Sequence, residues 1–231
     1  LFVAEGLRLC EMALDSAEIE FGFYTEEFLK SSRAENLIKN LEKVTKMYKI
    51  PEESFDRVRD TQTPQGVMII AKQKLSVPDK VAKKSFIVAL DGLQDPGNVG
   101  TILRTAEAFD CGIILLDDTV DIFNPKVVRS SMGAIFNLSA TEMTCEEFLQ
   151  LTKSENFEMT AAALDSSAEI YFKHDFTKKS AVVFGNEADG VSEKILKFAK
   201  KIFIPMTGTA ESLNVATSVA IIVSEAMRQR S

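Results

Sequence analysis

The chain has 231 residues, 45% hydrophobic with 16 Phe, and a formal net charge of −7. That is enough apolar material for a packed core and excludes intrinsic disorder. The longest apolar stretch, around 215–223, is interrupted by Thr217 and Ser218 and is too short to span a membrane. No charged start followed by an apolar run marks secretion, although a chain beginning at Leu1 is expected to have lost an N-terminal piece. Cys10, Cys111 and Cys145 are odd in number, widely spaced and form no CxxC. This argues against a disulfide scaffold or zinc and fits a reducing cytoplasm, with the thiols as small buried residues. The negative charge is awkward for a nucleic-acid partner, yet binding depends on local patches. Small basic clusters occur at Lys83 and Lys84, at Lys126 and Arg129, and at Lys197, Lys200 and Lys201.

Apolar residues at helical spacing (Leu7, Leu9, Cys10, Ala13, Leu14) predict a helix over 3–14. Residues 19–24 alternate as a half-buried strand. Helices are expected over 26–29, 33–47 and 54–59, and a strand over 67–72 follows the polar loop 61–66. Together these predict a small layered α/β domain over 1–75. A Pro and several charges make 76–84 the expected linker.

The pattern then restarts. Strands are expected over 85–90, 112–116, 137–141, 158–163, 181–184 and 201–204, with helices over 99–109, 125–130, 145–154, 192–198 and 213–230. Continuous apolar strands alternating with helices predict a second α/β domain, 85–231, with a mostly parallel sheet.

Three polar, Gly-containing loops follow strands of this domain, where open α/β sheets place ligands. The first contains Asp91, Gly97 and Asn98 and leads to Arg104; the second runs from Gly185 through Asn186 and Glu187 to Gly190; the third holds Ile204, Pro205 and Met206, then Ser212, Leu213 and Asn214. Neither G-x-G-x-x-G nor G-x-x-x-x-G-K-[ST] occurs, which argues against a dinucleotide or a nucleoside triphosphate. Asn98 can be read as a helix cap beside a surface Arg104, and Glu187 as the partner of that Arg in an ion pair. Ile204 to Met206 suit a flat ring and a soft sulfur group, and Ser212 can cap the last helix with Asn214 just inside. The only histidine, His174, is expected on an exposed connection; with no second one, a metal site or a Ser-His-Asp triad is not supported.

In order and spacing, 91–104, 185–190 and 204–216 closely resemble the three signature motifs of the SpoU branch of the SPOUT RNA methyltransferases. Phe2 to Gly6 and Thr63 to Val67 resemble the family's substrate-binding module, similar to small RNA-binding ribosomal proteins. Ala188 stands where many members carry Gly, and the start, where members usually carry a basic arm, is missing from this sequence.

The resemblance implies a deep trefoil knot in the second domain and an RNA-binding role for the first. It implies transfer of a methyl group from S-adenosylmethionine, without a metal, to a ribose 2′-hydroxyl. Cofactor contacts would come from Leu116, Phe184, Gly185, Asn186, Gly190, Ile204, Met206 and Leu213. Arg104 would orient the ribose and stabilise the alkoxide, with Asn98, Glu187, Ser212 and Asn214 positioning both. The implied protein is a cytoplasmic homodimer acting on RNA, ribosomal rather than transfer RNA because of its two-domain layout. The alternatives are a tRNA enzyme and a non-catalytic RNA-binding or ribosome-assembly protein. The stretch 124–132, with Lys126 and Arg129, is a candidate contact for RNA phosphate or a partner subunit.

Overall fold

Gly6 explains how the chain starts. Its φ of 103° lies in the left-handed region, so the helix expected from residue 3 cannot begin before it. Instead Phe2–Glu5 is a strand (β1), and the helix is confined to Leu7–Ala13 (α1). In the computed structural model, which describes residues 1–231, β2 (Ile19–Tyr24) follows, then α2 (Ser32–Leu41), β3 (Lys46–Lys49), α3 (Glu52–Val58) and β4 (Val67–Ala71). The helix expected over 33–47 stops at Leu41, and its last residues form β3, an edge strand parallel to β2 that places Tyr48 beside Phe23. Ser31 caps α2 by accepting from Ala34 N–H, and Ala34, Leu37, Ile38 and Leu41 are its buried face. The four-stranded sheet has the order β1-β4-β2-β3, with β4 antiparallel to both of its neighbours.

Packing divides the chain into two units: Leu1–Lys74 with Asp121–Asn137, and Leu75–Val120 with Leu138–Ser231. The inserted piece of the first unit carries a short helix, Pro125–Ser130, whose Val127 and Val128 are buried. Phe2 meets Phe123 and Phe136 with ring centroids 5.1 and 6.1 Å away, and Ser16 Oγ donates to Asn137 Oδ1 at 2.8 Å.

The second unit opens with α4 (Pro78–Ala82), so the stretch 76–84 contains a helix, with Val81 and Ala82 buried. In chain order come β5 (Phe86–Asp91), α5 (Pro96–Ala108), β6 (Gly112–Leu115), the inserted helix as α6, β7 (Ser139–Glu142), α7 (Cys145–Ser154), β8 (Glu158–Ala162), β9 (Glu169–Ile170), β10 (Ser180–Gly185), α8 (Glu193–Leu196), β11 (Lys200–Phe203) and α9 (Val215–Arg230). The strands form one seven-stranded sheet of order β7-β6-β5-β10-β8-β11-β9, and every pairing is parallel. The central pair explains the apolar runs: 86–90 of β5 and 180–184 of β10 are buried throughout, as strands covered on both faces must be. Each large aliphatic side chain buried there is worth about 1.5–3 kcal/mol of transfer free energy.

His174 is not on an exposed connection. It is 3% exposed, edge-on to Phe176 at 4.7 Å, with Thr160 Oγ1 3.3 Å from Nε2. Glu158 and Glu169 approach its two ring nitrogens at 3.6 and 3.5 Å. The sequence conceals this because the surrounding charges are brought in by separate strands. Cys10, Cys111 and Cys145 are all buried and free, and burial pushes the Cys111 thiol up to about 12.

The end of α9 is tied to the strand edge below it. Gln229 Oε1 accepts from Phe176 N–H at 2.8 Å, while Gln229 Nε2 donates to His174 O and to Glu225 Oε1. Arg228 and Gln229 together hold the Glu225 carboxylate at about 2, below its ordinary 4.5. A carboxyl lowered in the folded state contributes stability that is complete above about 4.5 and is lost as pH falls toward 2. Glu225→Gln should therefore reduce thermal stability at neutral pH and flatten its decline between those values, as followed by circular dichroism melts across pH.

Candidate functional site

The site begins where β10 runs out. Gly185 ends that strand, and a Cβ there would fall on the backbone of Gly190 and Val191. The chain therefore folds straight back over Gly185. Asn186 and Gly190 form an isolated bridge, Gly190 N–H donates to Asn186 O at 3.0 Å, and Gly190 takes φ 71°. Asn186 Oδ1 fixes the turn by accepting from Ala188 N–H at 2.9 Å and Asp189 N–H at 2.7 Å. Asp91, at the end of the adjacent β5, accepts from Ser192 N–H at 2.7 Å and anchors the far end of the loop.

This loop forms one wall of a cleft of about 490 Å³. Its other walls are the residues after β8 (Ala162 to Asp165), the end of β11 with Ile204 and Met206, and the start of α9. Of the residues expected to bind cofactor, Phe184, Gly185, Asn186, Gly190, Ile204, Met206 and Leu213 line the cleft. Leu116 does not: it is buried in the core, with its N–H bonded to Leu90 O at 2.9 Å. Glu187 and Ser212 also line it, whereas Asn98, Arg104 and Asn214 do not.

Three residues from the three loops join in a single hydrogen-bonded chain. Asn98 Nδ2 donates to Glu187 Oε1 at 2.6 Å, and Asn214 Nδ2 donates to Asn98 Oδ1 at 2.8 Å. The amide of Asn98 is thus used on both sides, oriented by an acceptor on one and a donor on the other. Glu187 is partnered by this amide rather than by Arg104, which replaces the ion pair considered above. Arg104 lies on the exposed side of α5 and pairs with no carboxylate.

Both expected caps move. Asp95, not Asn98, caps α5, its Oδ1 accepting from Asn98 N–H at 2.8 Å, with Pro96 at the first helical position. Asn98 therefore sits inside the first turn with its side chain free for Glu187. Asn214, not Ser212, caps α9, its Oδ1 accepting from Ala216 N–H at 2.9 Å and Thr217 N–H at 3.3 Å. Ser212 is exposed on the cleft rim. An Asp-Pro pair ahead of the first helix and Asn ahead of the second were readable signals for both caps.

Charge limits what the cleft can hold. Asp165, Glu187 and Asp189 line it, and no Lys or Arg does. Lys201 at 2.8 Å and the Ser167 hydroxyl and N–H hold the Asp165 carboxylate far below its usual range, so it is ionised. Such a lining repels phosphates and favours a ligand with cationic groups. Sequence reading missed Asp165 because only the fold brings the end of β8 to the cleft. No group of side chains capable of holding a metal ion is present.

Residues 85–224 match the model of the SpoU rRNA Methylase family, and residues 1–69 match the MRM3-like substrate binding domain. The chain belongs to the SpoU family. It is 32% identical, over 96% of its length and 86% of the relative's, to the 23S rRNA (guanosine(2553)-2′-O)-methyltransferase of Bacillus subtilis. It is also 32% identical to the tRNA (guanosine(18)-2′-O)-methyltransferase of Aquifex aeolicus, over 64% of this chain and 71% of that one. The crystal structure of an AdoMet-bound rRNA methyltransferase from Sinorhizobium meliloti superimposes with a TM-score of 0.84 at 29% identity, covering 98% of this chain and 87% of that one.

Gly185→Ala should displace the 185–191 loop. The overlap is with backbone, so relief requires the loop to move, at a cost of about 1–3 kcal/mol or more. A lowered melting temperature together with loss of ligand binding in the cleft is the expected result. A variant with unchanged melting and binding would contradict the close approach.

Proposed function

We propose that the protein transfers a methyl group from S-adenosylmethionine to a ribose 2′-hydroxyl in ribosomal RNA. The observation that carries this reading is the cleft of about 490 Å³ closed by the loop at Gly185, whose lining holds Asp165, Glu187 and Asp189 and no Lys or Arg. S-adenosylmethionine fits such a lining, since its sulfonium and ammonium outweigh its one carboxylate and it carries no phosphate. When bound, it supplies an electrophilic methyl on sulfur. Gly185, Ile204, Met206 and Leu213 would hold it by backbone groups and apolar contact, and Glu187 and Asp189, which have no cationic partner, would add charge complementarity.

The substrate side is the chain Glu187–Asn98–Asn214 with Ser212 at the rim. Its amides are fixed before substrate arrives, so no reorganisation is needed to orient the ribose. A 2′-hydroxyl must lose its proton as it attacks the methyl in line. Arg104 is too weak an acid to act as the base, and its guanidinium would orient the ribose and stabilise the developing alkoxide.

Ribosomal RNA is favoured over transfer RNA by relatives that span both units, among them the Bacillus subtilis 23S rRNA enzyme. The reading includes a homodimer, for which the support is the exposed side of α5 with Arg104 and the exposed Phe109. It includes a trefoil knot in the second unit, supported by the family and by the crossed strand order, and a cytoplasmic location, supported by three free thiols. No helix is long and apolar enough to cross a membrane.

Isothermal titration with S-adenosylmethionine should show binding to the purified protein. Arg104→Ala should retain that binding and lose methyl transfer to total large-subunit RNA by about 100-fold or more. Near-normal transfer by Arg104→Ala would remove it from the mechanism. Mapping 2′-O-methylation in cells with and without the protein identifies the target, and a site in transfer RNA would overturn the ribosomal assignment.

A further inference from the structure

Asp165, Glu187 and Asp189 share one cleft, yet only Asp165 has a cation against it. Its Oδ2 accepts from Lys201 Nζ at 2.8 Å, and Lys201 itself does not line the cleft. Its Oδ1 accepts from Ser167 N–H at 2.8 Å and from the Ser167 hydroxyl at 2.6 Å. A carboxylate with both oxygens engaged and its charge matched has little left to offer a cationic ligand. Its bonds run instead to the chain around it.

That chain has an unusual course. β8 and β9 lie on either side of β11, and all three strands are parallel. β8 ends opposite Ile202, and β9 begins opposite the same residue. The connection 163–168 must therefore cross over β11, a span of about 10 Å at ordinary strand spacing. Ala163 N–H donates to Ile202 O at 3.0 Å at the start of this strap, and Ala168 N–H donates to Asp165 O at 3.0 Å in the turn that completes it. Lys201, on the strand being crossed, reaches Asp165 at its middle. The side chains of Lys201 and Asp165 are 25% and 35% exposed, against 68% and 63% for the surface pair Lys194 and Glu146. Fully exposed pairs do little to fix geometry, whereas this one is shielded and braced by the Ser167 bonds. Both segments it joins form cleft wall: Ala163 and Leu164 on the strap, Ile202 and Phe203 on β11. Leu164, next to Asp165, is held on that wall 65% exposed and not packed in the core.

We propose that Asp165 is a positioning residue for the cofactor: clamped to Lys201 and Ser167, it holds the strap across β11 and sets the cleft wall against which the cofactor lies, without lending it charge. The proposal rests on the reading of the cleft as the site for S-adenosylmethionine. A wall fixed before binding lowers the ordering cost of the complex.

Calorimetric titration of the full chain with S-adenosylmethionine and with S-adenosylhomocysteine, which lacks the sulfonium charge, separates geometry from charge. Asp165→Asn and Lys201→Met should each weaken both ligands by about tenfold, and the double variant should be no weaker than the single ones. Lys201→Arg, which keeps a cation opposite Asp165, should retain more affinity than Lys201→Met. If Asp165 acts through its charge, Lys201→Met unmasks it and tightens S-adenosylmethionine, and Asp165→Asn spares S-adenosylhomocysteine; either result overturns the proposal. Unchanged affinity in both single variants overturns it too. Amide hydrogen exchange of the ligand-free protein gives a second readout. Ala163 and Ala168 should exchange faster in both variants while the amides of β10 keep their protection, and equal loss in β10 would indicate a general effect on stability and overturn the proposal. If the wild-type protein binds neither ligand, the cofactor reading falls, and the exchange data still decide whether Asp165 holds the strap.

Discussion

The close approach of Gly185 to the backbone of Gly190 and Val191 is the constraint on which the cleft depends. A side chain at that position would push the returning loop away from the end of β10. With no side chain there, the loop folds flat over the strand and is pinned by the Asn186 amide at one end and the Asp91 carboxylate at the other. Glu187 is then carried to Asn98, and Asn98 to Asn214, so three segments distant in sequence share one hydrogen-bonded chain. Each amide in that chain is satisfied on two sides, which fixes its orientation without a buried charge pair.

Charge is unevenly distributed within each unit. The cleft of the second unit is lined by Asp165, Glu187 and Asp189 with no Lys or Arg. In the first unit Arg8 is exposed, while Arg129 is paired with Asp60. A net charge of −7 is therefore compatible with an RNA substrate, because the sign that matters is local. The inserted piece 121–137 is encoded between strands of the large sheet yet packs with the first unit, where Arg129 pairs with Asp60.

Much of the fold was legible because it follows from short-range pattern. The apolar runs of β5 and β10 identified central parallel strands, and Gly185 and Asn186 at the end of β10 line the cleft. Local pattern failed where a partner distant in sequence decided the outcome. Residues 2–5 have apolar spacing compatible with a helix and become a strand because β4 is available to pair with them. The run 46–49 becomes an edge strand for the same reason, with β2 as its partner. His174 looked exposed among charged neighbours and is buried because Phe176, Thr160 and two glutamates close around it.

The sequence by itself determined the α/β class, the family and part of the cleft lining, because these depend on residue type and order along the chain. Tertiary structure decided the roles within that set. It made Asp95 and Asn214 the caps, released Asn98 to hold Glu187, kept Leu116 in the core, and brought Asp165 from the end of β8 to the cleft wall. The physical reason is that a hydrogen bond or a cleft wall is defined by direction and distance between groups. Those are set only when strands far apart in the chain lie side by side.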